Sequence, residues 1–270
     1  SITNGYDRLV PPPQVDYRFI CFYDGDKPDV DGWEYIKLEV DEVCPVRKSY
    51  HPKHCPHLYF DKNAETVWID GSYPVTHDIV QSSEDLFLSH DFVMQKHPEN
   101  RTLLTEFAKL YREGFSSRDE ILEMCKNIRD IGYNLSFYNQ TINSLIWRKL
   151  TPEVIDWCET WREWYDDGVN RDQISSSVAE FILGRKYKSP LSFKIHRVPI
   201  KVDMGRSNRI KKYGESYKLH ARPSTQDNID FVSSMQSVFK EGLDLSKMYA
   251  CVKYTPFELN NFVDYKDIII

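Results

Sequence analysis

Apolar residues fall along the chain in two rhythms, short dense runs and stretches spaced by three or four. The dense runs predict strands. Residues 17–23 (YRFICFY) form one and stop at Asp24-Gly25-Asp26; 66–69 (TVWI) form a second and stop at Asp70-Gly71-Ser72; 143–148 (NSLIWR) form a third. The wider spacing predicts helices. Leu103, Phe107, Leu110 and Tyr111 share one helical face, with Gly114 as the stop. Ser117 and Glu120 read as a capping box ahead of Ile121, Cys125 and Ile128. Thr151 caps a helix with Pro152 at its first position, and Val154, Trp157, Trp161 and Trp164 follow on a face suited to a core. Gly168 ends that helix, and Arg171-Asp172-Gln173 lead into another through Val178 and Ile182. A further short helix is expected around 229–241. Strands alternating with helices imply a largely parallel sheet with crossover connections, in which ligands sit beyond the carboxyl ends of the strands.

Length and charge narrow the classes. A chain of 270 residues can bury one substantial core, or one core with an appendage. The formal charge of -6 argues against a general nucleic-acid binder, which would need a net basic footprint. No apolar run reaches the roughly 20 residues that cross a bilayer. The six cysteines are scattered without a C-x-x-C pair, which argues against structural zinc and for buried thiols in a reducing compartment. A soluble, cytoplasmic protein is therefore expected. The sequons at Asn100, Asn134 and Asn139 keep open a secretory-lumen catalytic domain with its anchor removed. Residues 194–222 hold nine Lys or Arg against Asp203 and Glu215, so 186–270 reads as a basic C-terminal extension of a domain spanning 1–185.

Three groups carry candidate chemistry. Asp70 ends a strand, where a carboxylate can hold a divalent ion against a diphosphate leaving group. Ser72 stands where a second carboxylate would complete an aspartate–any–aspartate pair, and a turn-opening role for Asp70 is the alternative. Asp172 suits a general base or a positioning carboxylate, or else a helix N-cap. Arg47, Lys48 and Lys53 suit phosphate or sugar contacts, or else a solvated basic loop. His196 and His220 lie in the basic region as lone candidate metal ligands. The motifs for a P-loop, a dinucleotide fold and a serine hydrolase elbow are absent from the sequence.

In order, these elements resemble the glycosyltransferase-like family long catalogued as a domain of unknown function, with plant members in pollen turgor control and seed mucilage synthesis. The likeness runs through Gly5-Tyr6-Asp7, Ile20-Cys21-Phe22 with Asp24, the Arg47 to Lys53 spacing, and Trp68-Ile69-Asp70-Gly71. It continues through His97-Pro98 with Arg101 and Glu106, Ser144 to Arg148, and Arg171-Asp172-Gln173-Ile174-Ser175. It covers about residues 1–185. The resemblance implies a GT-A-like α/β fold, a Rossmann-type mixed, mostly parallel sheet flanked by helices. It also implies transfer of a sugar from a nucleoside diphosphate sugar to a hydroxyl of a glycan or other acceptor, assisted by Mn²⁺ or Mg²⁺. It would place Asp172 and Gln173 at the reacting carbon, Tyr6, Asp24, Arg47, Lys53, Gly71, Ser72 and Arg171 at the donor, and Asp70, with His220, at the metal. Two other readings remain: a non-catalytic carbohydrate- or nucleotide-binding module, and a nucleotidyltransferase or nucleotide-sugar hydrolase that turns over donor without an acceptor.

Overall fold

The structure, a computed structural model, describes residues 8–41, 44–97, 102–133, 141–169, 171–186, 196–198 and 223–238. It is a mixed α/β protein with two small sheets. Strands β1 (Ile20–Tyr23) and β2 (Glu34–Lys37) pair in parallel. The larger sheet runs β3-β5-β4-β6, from β3 (Glu65–Ile69), β4 (Phe92–Lys96), β5 (Thr141–Lys149) and β6 (His196–Val198).

The expectation of a mostly parallel sheet needs correction. Strand β5 lies between β3 and β4 and is antiparallel to both, while β6 adds to β4 in parallel. Periodicity reports that a strand is buried on both faces but carries no sign of its direction. The NSLIWR run is buried along most of its length, as a central strand would be in either orientation.

The helices form where the spacing predicts. In α3 (Leu103–Glu113) the chain stops at Gly114, whose φ of 73° is the left-handed conformation that glycine adopts without strain. The capping box of α4 (Arg118–Asp130) forms in both directions between Ser117 and Glu120. Thr151 caps α5 (Pro152–Asp166), whose Trp157, Cys158 and Trp161 are fully buried. α6 (Asp172–Lys186) follows at once. Two helices were not anticipated: α1 (Pro45–His54), which carries Pro52 inside it, and α2 (His77–Phe87). The last described helix, α7 (Thr225–Val238), begins four residues earlier than expected, and Glu241 lies outside the described residues.

One face of both sheets drains into a single core. Phe22 of β1, Leu38 just after β2, Trp68 of β3 and Ile146 of β5 pack with Val154, Trp157 and Trp161 of α5. A second core joins α3, α4 and α6 to Phe231 and Met235 of α7. Among the described residues, no helix is long and apolar enough to cross a membrane. Cys21, Cys44, Cys55, Cys125 and Cys158 are free thiols, and Cys44 alone of these is not fully buried.

Candidate functional site

The site begins at the end of α1. Pro45 starts that helix at its first position, where a missing N–H costs nothing. At its last turn the Lys53 carbonyl accepts a hydrogen bond from Arg148 Nη1 at 2.6 Å. Arg148 is a wholly buried cation from the middle strand β5, so it caps the helix end and fixes where Lys53 points. Burial lowers the Arg148 pKa from its ordinary value, with Cys158 beside it acting in the opposite direction.

Lys53 has no exposed surface, and its ammonium joins the two predicted carboxylates. Nζ donates to Asp70 Oδ1 at 3.0 Å and to Asp172 Oδ2 at 2.8 Å. Asp70 leaves the end of β3 and Asp172 opens α6, so residues 102 positions apart meet on one cation. Burial would depress the Lys53 pKa. The attraction of Asp172, then of Asp70, outweighs burial and holds it above its ordinary value. The Tyr50 ring, 4.7 Å from the ammonium, covers another side.

Each acid is aimed by a tryptophan. Trp68 Nε1 donates to Asp70 Oδ1 at 2.7 Å. Trp161 Nε1 donates to the Asp172 backbone carbonyl at 3.0 Å and to Ser175 Oγ at 3.1 Å. The acids differ in access: the Asp70 side chain is 27% exposed and that of Asp172 is 6% exposed. Asp70 is therefore the more accessible of the two acids, and Asp172 the more enclosed. His54, next to Lys53, is buried against Trp161 and Tyr165, and neither ring nitrogen has a hydrogen-bond partner. Its pKa is held well below the ordinary value, first by burial and then by the Lys53 charge, so this ring is neutral.

The other predicted residues divide by position. Gly71 and Ser72 follow Asp70, and Ser72 is buried. Gln173 sits beside Asp172 with its carbonyl accepting from Ser176 and Ser177, while its buried Oε1 lacks a partner. Arg47 faces α5: it donates to the Asp166 carbonyl at 2.9 Å and stacks over Tyr165. Arg171 Nε lies 2.6 Å from Oε1 of the buried Glu106. Asp24 stands directly after β1, and Lys48 lies on α1. Tyr6 and His220 lie outside the described residues, and the side chain of His196 is not described.

The role of Lys53 as a bridge was not foreseen, nor were Arg148, His54 and the two tryptophan donors. A usable signal existed for Arg148, a charge that closes the apolar run of a strand. For Lys53, the Cys44-Pro45 start of a helix would have placed it on a last turn rather than in a loop.

Among the described residues, no group of three or more His, Cys, Asp or Glu side chains could cage a metal ion. Asp70 Oδ1 is already engaged by Lys53 and Trp68. The donor set fits an ion carried mainly by substrate phosphates and anchored by one carboxylate, which is how Mg²⁺ is commonly held. No family model, curated protein or solved structure matches this chain.

Proposed function

We propose that the chain is a glycosyltransferase with a GT-A-like arrangement that moves a hexose or pentose from a nucleoside diphosphate sugar to a hydroxyl acceptor. The observation that carries this reading is the meeting of Asp70 and Asp172 on the buried Lys53 ammonium, at 3.0 and 2.8 Å. Two carboxylates and one ammonium leave the cluster with a formal charge of -1. Such a cluster favours positive charge on the reacting sugar carbon and resists a bare diphosphate.

In this reading the donor enters past Asp70. A Mg²⁺ or Mn²⁺ ion, held by Asp70 and by the donor phosphates, would neutralise the leaving diphosphate. Asp172, held by Lys53 on its carboxylate and by Trp161 on its backbone, faces the reacting carbon or the acceptor hydroxyl and orients it or takes its proton. Lys53 is a positioning residue, because burial keeps it from touching substrate.

A second reading, a non-catalytic sugar- or nucleotide-binding module, has one observation in its favour: Ser72 stands where a second carboxylate would bind metal. Thermal shift against a panel of nucleoside diphosphate sugars, with and without Mn²⁺, tests the first reading. One donor should raise the melting temperature of the wild type in a metal-dependent way and leave Asp70→Ala unmoved. Stabilisation that is indifferent to both metal and Asp70 would favour the module.

A further inference from the structure

Between β1 and β3 lies a cavity of about 650 Å³. Consecutive residues border it, 20–22 from β1 and 65–69 from β3. A strand that turns a face to a cavity contributes alternate residues. Consecutive residues mean that the backbone edge faces it.

The ladder bonds identify which groups face inward. The Asp70 amide donates to Ser144 of β5, so by the two-residue period the amides of Thr66 and Trp68 also point at β5. The N–H and C=O groups of Val67 and Ile69 then point the other way. On β1, the carbonyls of Phe19 and Tyr23 accept from Glu34 and Leu38 on the β2 side, so Ile20 and Phe22 turn theirs outward. All four outward residues line the cavity, and among the described residues no strand pairs with either edge. Both sheets also send side chains into the same core against α5. The two sheets thus share a core and turn unpaired edges towards the same cavity.

We infer that this cavity is a docking slot for an extended polypeptide strand that joins both sheets into one. Two facing rows of amides and carbonyls are satisfied together only by another backbone. The side chains above and below specify the occupant further. Ile79, Val80 and Phe87 of α2 close one side, and Phe22 and Phe60 the other. The inserted strand is therefore apolar on both faces rather than alternating, and at about 3.3 Å per residue it runs for about five residues to match β3. This inference stands apart from the transferase reading, since it uses neither Asp70 nor Asp172.

The test is amide hydrogen exchange by NMR on the 270-residue chain with the peptide acetyl-KVIVVIK-amide. Exchange at Ile20, Phe22, Val67 and Ile69 should slow at least tenfold. Cys21 and Trp68, whose amides already face ladders, serve as internal references. The same peptide N-methylated at alternate amides should protect none of the four. Val67→Pro, which removes one inward N–H from an edge strand while sparing the β3–β5 ladder, should weaken binding at least tenfold with the fold intact. To remove affinity as an obstacle, the peptide is also fused ahead of Ser1 through a Gly/Ser linker, which raises its effective concentration to the millimolar range. Unchanged exchange in the fused protein overturns the proposal. So does equal protection by the N-methylated peptide, or protection of these amides by a nucleoside diphosphate in place of the peptide.

Discussion

Replacing Lys53 with methionine removes the ammonium that joins Asp70 and Asp172 and leaves an apolar side chain in its place. The two contacts put the acid oxygens within about 6 Å of each other. At an effective dielectric of about 20, two such charges repel by about 3 kcal/mol. Removing one partner of a buried ion pair costs about 3–5 kcal/mol by a separate route, the desolvated charge left behind. The expected loss at pH 8 is therefore about 3–5 kcal/mol, or a fall of roughly 10 °C in melting temperature for a chain of this size. Urea unfolding followed by circular dichroism measures it. Lys53→Met combined with Asp172→Asn should recover at least about 1.5 kcal/mol, because the second change removes one of the repelling charges. The pH dependence has a definite sign. The folded Lys53 pKa lies above the ordinary value of 10.5, so the wild-type contribution is whole below that pH and is lost on the alkaline side. In Lys53→Met the deficit should shrink between pH 8 and pH 5.5, as a proton shared between the acids relieves their repulsion. A loss below about 1 kcal/mol, or strict additivity in the double variant, would refute the bridge.

Three further outcomes follow from other contacts. His54 is buried and neutral with its pKa depressed, so the wild type should lose stability as pH falls below about 6.5; His54→Phe should flatten that slope by up to about 1.4 kcal/mol per pH unit in melts at pH 5–7. Trp161→Phe removes the donor to the Asp172 carbonyl and Ser175, and urea unfolding should show a loss of about 1–3 kcal/mol. Burial, chiefly, pushes the Cys55 thiol up to about 11, so iodoacetamide at pH 8 followed by peptide mass mapping should label Cys44 well before Cys55.

The parts of the fold that local chemistry determines were legible. Ser117 with Glu120, Thr151 with Pro152, and Gly114 after Glu113 each specify a helix end through groups a few residues apart, and each end lies where expected. Strand direction was not legible, because β5 reads as apolar whether it runs with or against its neighbours. The same limit governed the site. Asp70 and Asp172 stand out beside turn and helix signals, and the structure does bring them together. The cation that joins them sits in a helix whose sequence, PVRKSYHPKH, is polar and interrupted by Pro52, so no apolar stripe announced it. Burial of Lys53 depends on Trp161, Tyr50 and two distant acids, a tertiary circumstance without a local pattern. The partners of Arg47 and Arg171, the Asp166 carbonyl and the Glu106 carboxylate, are likewise tertiary contacts that no local pattern announces.

The most direct test of the account is turnover of nucleoside diphosphate sugars in the presence of a glycan panel, comparing the wild type with Asp172→Asn. The wild type should transfer sugar from one donor. The variant should bind the matching nucleoside diphosphate within about threefold of wild type while losing at least about 100-fold in transfer, the scale of a positioned general base. Undiminished transfer by Asp172→Asn, or no turnover of any donor by the wild type, would contradict it.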